Sequence, residues 1–376
     1  MNEQVSAQAA LRRLRETLDD FMEVETVRIL STDAQPSVEF EGHLHRRNGA
    51  FEELFRSLRE LGYTPTLRET EEGVEVLRAV PGTIEEENRG KPWVNLLLFL
   101  ATLLSVLFIG AANEGGNPLQ NFSDLWLGLP FAATLMGILT AHELSHYFVG
   151  RKYGSPVSLP YFIPLPLNIL GTMGAVIVQK GPMRSRKALF DIGAAGPLGG
   201  LVVALPLLVV GLLLSKVEPL PTSQAYFLEG NSLLYYFTKW VIFGRPLPAG
   251  GVDVMLHPVA FAAWAGLLVT SLNLFPIGQL DGGHITYAMW GRRAWTIAKV
   301  VVGLIFAWGL VLNLRGNPAG WTWFVWGLLG LFVGARHPAP LNDVTPLGRK
   351  RRIMGWIMTG LFLLTLVPLP LTVVTP

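Results

Sequence analysis

The sequence predicts a polytopic α-helical membrane protein, about seven spans with a re-entrant β-hairpin, carrying a small soluble α+β domain at its N-terminus. Three observations predict it. Half of the 376 residues are apolar and 15% are charged, where a soluble domain carries about 25% charged residues; mean hydropathy is +0.39. The charge is unevenly placed: residues 1–91 hold 19 of the 28 acids and 12 of the 30 bases, leaving nine acids and 18 bases for the other 285 residues. The net charge of +2 therefore averages a head at −7 with a body at +9. Finally, the long apolar runs begin only near Trp93. Together these exclude nucleic-acid binding, a secreted soluble enzyme and intrinsic disorder as readings, and they divide the chain into domains 1–91 and 92–376.

The chain has no cysteine. Disulfides, a thiolate nucleophile and cysteine-ligated metals are thereby excluded, so any metal must be held by nitrogen and oxygen. With some ninety polar residues ahead of the first apolar run, no cleaved signal peptide is expected.

In the head, Ala10, Leu11, Leu14, Leu18 and Phe21 recur at helical spacing over residues 6–22. Strand-like runs follow at Val24 to Leu30 and Val38 to Leu44, then a helix from Ala50 to Leu61 stopped by Gly62, then strands around Leu67 and from Val74 to Val80. The order α-β-β-α-β-β predicts a two-layer domain with helices on one face of a sheet. It contains no chemical motif. His43 and His45 alternate beside Arg46 and Arg47, which reads as an exposed strand face rather than a metal pair. Glu85 to Glu87 before Pro92 reads as a solvated linker. The residues leave open whether this domain inhibits, recruits or senses; a bound regulator is its candidate partner.

In the body, seven segments approach the roughly 20 apolar residues that a span needs: 92–112, 125–149, 189–214, 256–275, 294–313, 318–334 and 353–374. With the N-terminus in the cytosol, thirteen bases, including Arg151, Lys180, Arg186, Arg292 and Arg349 to Arg352, fall on inner connections. Only Lys216, Lys239, Arg245 and Arg315 fall outside. The positive-inside rule then places the head and the basic loops on the cytosolic side, and Arg349 to Arg352 reads as a topology anchor. The stretch 159–181 is apolar but contains Pro160, Pro164, Pro166, Gly171 and Gly174. Prolines this dense break helices, and the stretch reads as a re-entrant hairpin whose backbone protein or water must shield.

At the inner end of the second span stands His142-Glu143-Leu144-Ser145-His146. Histidines four apart share one helical face, so two imidazoles can bind one Zn2+, while the Glu between them can take a proton from water at the metal. A catalytic zinc usually has a third protein ligand. Two of the nine body acids sit near that depth on the same side, Asp191 and Asp281. Asp281 follows Pro276 and Gly278, which should break a span there; Asp191 opens a glycine-rich span, where helix packing and an N-cap role explain it.

With these residues in view, the body resembles the site-2 proteases, intramembrane zinc metalloproteases that cut membrane-spanning substrates. Their signatures H-E-x-x-H and N-x-x-P-x-x-x-L-D-G both occur, as His142 to His146 and Asn273 to Gly282. Gly171-Thr172-Met173-Gly174-Ala175 and Gly196-Pro197-Leu198 are also similar to the family. The likeness covers about residues 125–293 and is nearest to the plant-chloroplast and cyanobacterial branch. The connection 215–255 is too short for the PDZ domain of the bacterial envelope-stress branch.

The resemblance implies that His142, His146 and Asp281 hold one Zn2+, that Glu143 is the general base, and that Asn273 holds substrate or the developing oxyanion. It further implies that the hairpin, with Gly171 and Gly174, offers an edge strand to an unwound transmembrane protein substrate. The implied function is regulated intramembrane proteolysis or clearance of membrane stubs. Two rivals are a zinc transporter using the same ligands, for which no internal repeat is present, and an inactive membrane scaffold. His284 reads equally as a neighbour of the site or as an interfacial residue, and His257 and His337, each before a proline, read as punctuation at span ends.

Overall fold

The computed structural model describes residues 2–31, 33, 35–45, 49–83, 91–221, 226–334 and 336–374. Arg46, Arg47 and the linker acids Glu85 to Glu87 lie outside the described residues. The chain forms two compact units: residues 1–89 with 181–189 and 338–348, and residues 90–180 with 190–337 and 349–376.

The first unit runs α1 (Asn2–Leu18), β1 (Met22–Ile29), β2 (Val38–Leu44), α2 (Ala50–Glu60), β3 (Tyr63–Glu69) and β4 (Glu75–Pro81). The strands pair antiparallel in the order β1-β2-β4-β3. Strict alternation puts Val38, Phe40, Tyr63, Leu67, Leu77 and Ala79 on one buried face, where Leu14 and Leu18 of α1 and Phe51, Leu54, Phe55 and Leu58 of α2 cover them. His43 lies on the half-exposed face of β2, its Nδ1 3.3 Å from Glu75 Oε2, so it sits on a strand surface.

The unit also recruits two distant segments, which sequence periodicity did not reveal. Leu67 N–H donates to Leu341 O (2.7 Å) and Asp343 N–H to Leu67 O (3.1 Å), adding residues 341–343 in parallel along β3. Leu341 N–H then donates to Met183 O and Asn342 N–H to Arg184 O. The edge of β3 is thus covered, as sheet edges generally must be. Leu341 and Val344 enter the hydrophobic core of the unit, and Arg186 pairs with Asp343 at 2.7 Å.

The second unit contains α3 (Pro92–Asn113), a 3-10 turn (Phe122–Gly128) continuous with α4 (Leu129–Lys152), and a hairpin of β5 (Tyr161–Pro164) and β6 (Thr172–Val176). It continues through α5 (Arg186–Leu214), whose first residues belong to the first unit, then β7 (Lys216–Pro219), β8 (Tyr226–Glu229), α6 (Leu233–Phe243) and β9 (Val252–Met255). There follow α7 (Pro258–Asn273), α8 (Asp281–Trp290), α9 (Arg293–Leu314), α10 (Ala319–Val333), α11 (Arg349–Thr365) and β10 (Leu371–Val374).

Among the described residues four helices are long and apolar enough to cross a membrane: Pro92–Asn113, Phe122–Lys152, Arg186–Leu214 and Arg293–Leu314. The predicted spans 256–275 and 318–334 are the shorter apolar helices α7, of 16 residues, and α10, of 15. At 1.5 Å per residue these reach about 24 Å and 22 Å, short of a hydrocarbon core about 30 Å thick. The predicted span 353–374 is not one helix. α11 stops at Thr365, Pro368 and Pro370 forbid its continuation, and β10 pairs antiparallel with β8. The stretch 159–181 does form a β-hairpin, β5 against β6.

One base assigned by sequence to an outer connection is internal. Lys239 on α6 is fully buried, 3.4 Å from Asp253 and 3.7 Å from Glu229. The centre of the unit is α4 against α7. Phe131 stacks on Phe261 at 5.7 Å, and α7 presents Ala262, Ala263, Ala265 and Gly266, a Cβ on the last of which would come within 2.8 Å of Ile138. Small residues let the two backbones approach.

Leu341→Ala should leave a cavity in the first unit's core at a cost of about 2–5 kcal/mol. The expected result is faster protease nicking within 338–348 than in the parent protein; equal nicking rates would show that Leu341 does not anchor that segment.

Candidate metal centre

Three elements converge on one buried point. His142 and His146, one turn apart on α4, are 3% and 5% exposed. Their Nε2 atoms lie 3.2 Å apart. Asp281 is the first residue of α8, and its two carboxylate oxygens divide between the imidazoles, Oδ2 at 3.1 Å from His142 Nε2 and Oδ1 at 3.2 Å from His146 Nε2. The donor atoms of all three residues fall within 4.8 Å of one another, and among the described residues this is the only such group. Two imidazole nitrogens and a carboxylate oxygen form a donor set that suits zinc and leaves a coordination position for water.

Each donor is held in place. His146 Nδ1–H donates to Ile192 O at 2.7 Å, which fixes the ring and directs Nε2 toward Asp281. Asp281 is presented by the break between α7 and α8, residues 274–280, where Gly278 takes a positive φ of 50°. α8 can fold back on that loop because Gly282 and Gly283 have no side chains: a Cβ would lie 1.9 Å from Leu274 O and 2.2 Å from Gly278 O respectively. Glu143, 5% exposed, projects beside the histidines, and the backbone of Ile177, one residue past β6, comes close to its carboxylate. Asn273 ends α7 with Nδ2 3.5 Å from His142 Nε2.

The hairpin glycines have different surroundings. Gly171 (φ +74°) is pressed on α3, where a Cβ would come within 2.8 Å of Ser105 O. Gly174 (φ +102°) faces open space.

A model of peptidase family M50 matches residues 130–312, a stretch that contains all four residues of the centre. The chain is 34% identical to the probable zinc metalloprotease EGY1, chloroplastic, of Arabidopsis thaliana, over 73% of its own length and 53% of the relative's. It is 31% identical to the protein of the same name from Oryza sativa subsp. japonica, over 73% and 50%. Residues 130–312 form a peptidase family M50 domain, that of the site-2 proteases. A third relative, the probable zinc metalloprotease EGY2, chloroplastic, of Arabidopsis thaliana, is 31% identical over 67% of this chain and 44% of the relative. The chain spans about half the length of these relatives. No solved structure matches it.

Within this M50 fold, several sequence readings need correction. Asp191 is not an N-cap: α5 begins at Arg186, and Asp191 lies inside it, bound by Arg351 at 2.8 Å and 2.7 Å and by the Tyr153 hydroxyl. Arg351, read as part of a topology anchor, is that acid's partner. His337 does more than punctuate a span end. It is 4% exposed, stacks on Tyr287, and its Nε2 lies 2.6 Å from His284 Nδ1. His257 does cap α7, its Nδ1 accepting from Val259 N–H at 3.3 Å.

Sequence reasoning passed over the way α5 shapes the centre. Its glycine row was read as helix packing, but a Cβ at Gly196 would stand 2.0 Å from His146 Nε2, where a metal would sit. At Gly200 the nearest atom, His142 Nδ1, would be 3.2 Å away, and at Gly193 His284 Cβ would be 2.7 Å away. The spacing 193, 196, 200 is helical, and a ligating pair facing it was the signal available.

Gly196→Ala is expected to reduce bound zinc from one per chain to less than about a tenth, measured by atomic emission on purified protein, because the methyl takes the space of the ligating nitrogen. Gly200→Ala should keep most of its zinc. Equal zinc in both variants would contradict this account of α5.

Proposed function

We propose that the chain is an intramembrane zinc metalloendopeptidase that hydrolyses peptide bonds of transmembrane protein substrates. The observation that carries the reading is the convergence of His142, His146 and Asp281 beside Glu143, buried in an apolar bundle. His142, His146 and Asp281 would hold the ion. When bound, zinc would acidify water and polarise a scissile carbonyl.

The chain's own groups supply the rest. Glu143 is placed to accept the proton of the attacking water and return it to the leaving amine. Asn273, at the C-terminus of α7, has an amide that can donate to the carbonyl oxygen as negative charge builds there. A helical substrate must unwind first, since its carbonyls are occupied by internal hydrogen bonds. An exposed hairpin edge can then take the opened backbone by strand addition. Support for this comes from Ile177, which brings the end of β6 to Glu143, and from Gly174, whose open face leaves room beside the strand. Gly171 contributes through the turn it closes against α3.

The same reading makes the protein a multi-pass membrane protein with the N-terminus and the centre toward the cytosol, supported by the thirteen bases on connections of that side. Residues 1–91 are then a cytosolic domain suited to a regulator, a role that fits the way its sheet takes in 183–185 and 341–343, which lead into α5 and toward α11.

Glu143→Gln should keep one zinc per chain while cleavage of a transmembrane test substrate in vesicles falls by at least about a hundredfold, the share general acid–base catalysis commonly supplies. His142→Ala should lose both zinc and cleavage. Undiminished turnover in Glu143→Gln would refute the assignment, and zinc uptake into vesicles without cleavage would make the protein a transporter.

A further inference from the structure

α3 lies outside the region matched by the family model, and three of its polar side chains, Asn95, Ser105 and Asn113, bond the hairpin, while Thr102 Oγ1 is buried without a hydrogen-bond partner. Asn95 Nδ2 donates to Leu159 O at 3.0 Å and Pro160 O at 2.9 Å. Ser105 Oγ donates to Gly171 O at 2.6 Å, and Asn113 Nδ2 to Ile169 O at 3.3 Å. Between them Phe99 meets Phe162 of β5 edge-on at 5.1 Å. Asn95 and Ser105 are both 8% exposed. The contacts bracket the hairpin, one set at its base (159–160) and one at its turn (169–171).

Polar groups inside an apolar helix are costly unless they have a task, and the hairpin has a need they meet. Pro160, Pro164 and Pro166 contribute no N–H, and the β5–β6 register is irregular between Phe162 and Pro164. A two-stranded ribbon is marginal even with a full ladder, so this one needs an external support to keep one height. Its far end matters chemically: β6 runs from Thr172 to Val176, and the backbone of the next residue, Ile177, comes close to the Glu143 carboxylate. At about 3.3 Å per residue, a slip of one residue would bring a different peptide bond of a paired substrate to the centre and reverse which side chains face it.

We propose that Asn95 and Ser105 are positioning residues: α3 sets the height of the hairpin beside Glu143 and thereby selects which peptide bond of an extended substrate is cut. This rests on the reading of the hairpin as the substrate-receiving edge.

The test uses full-length protein in lipid vesicles with a transmembrane test substrate whose central residues are uniform, so that neighbouring bonds are chemically equivalent. Cut positions are read by mass spectrometry, with KM, kcat and zinc content alongside. Ser105→Ala and Asn95→Ala should each raise KM about two- to tenfold, the range for loss of one to two hydrogen bonds. They should also spread cleavage over adjacent bonds, with zinc at one per chain and kcat within about twofold. Asn95→Asp, equal in size but without the donor, should behave like Asn95→Ala, and Ser105→Thr, which keeps the hydroxyl, should restore the parent pattern. A merely structural role would lower zinc or protein yield without moving the cut.

An unchanged cut pattern and KM in Asn95→Ala/Ser105→Ala would overturn the proposal. Should that double variant fail to accumulate, Asn113→Ala and Ser105→Ala decide it, and an unaltered pattern in both overturns it equally. If Glu143→Gln still cleaves, the proposed function itself falls. If Glu143→Gln is inactive while the α3 variants cut like the parent, only this inference does.

Discussion

The structure depends on a carboxylate shared between two imidazoles in an apolar interior. Asp281 and the two histidines are nearly excluded from solvent, where an isolated charge would be expensive and only close partners make it tolerable. Two imidazoles are partners of a particular kind. Unlike a guanidinium, an imidazole can lose its proton at neutral pH and then offer a lone pair. Each side chain thus satisfies the others before a metal arrives and can turn the same atoms to a metal afterwards.

That arrangement demands space, and the space is made by leaving side chains out. α5 passes the histidines with hydrogen in place of a methyl at Gly193, Gly196 and Gly200, and α8 folds onto the α7–α8 break through Gly282 and Gly283. Helix breaks inside an apolar bundle leave backbone groups that need partners. Here the break yields a first turn of α8 that carries Asp281 and a last turn of α7 that carries Asn273. Asp281 and Asn273 thus reach the centre from the two helix ends that the break creates, while the His pair comes from the unbroken α4.

Much of this was legible in the sequence and some was not, for physical reasons. The His pair was legible because four-residue spacing maps directly onto one helical face, and the head's strands because one buried face imposes alternation. The hairpin was legible from proline density, since few other backbones tolerate it. Length misled for 353–374: apolar composition says nothing about Pro368 and Pro370 forcing the chain from α11 into β10. It misled again for α7, where apolar flanks outrun a 16-residue helix. The Leu341 strand added to β3 and the His284–His337 pair join residues far apart in sequence and leave no periodic trace.

Burial alone would not have separated the acids of the body; the chemistry of their partners does. Asp253 is as buried as any, yet with Glu229 it faces the ammonium of Lys239. Asp191 is held by the guanidinium of Arg351, and Asp343 by that of Arg186. Guanidinium and ammonium groups carry no lone pair that could bind a metal, so these pairs brace the fold without adding a second donor to the acid. Asp281 instead faces two groups that can become neutral donors, and Glu143 stands beside them, near the backbone of Ile177. An acid paired with a guanidinium or ammonium braces the fold, whereas an acid set between imidazoles shares a donor set with them. By that criterion Asp191, Glu229, Asp253 and Asp343 separate from Asp281 without reference to any motif.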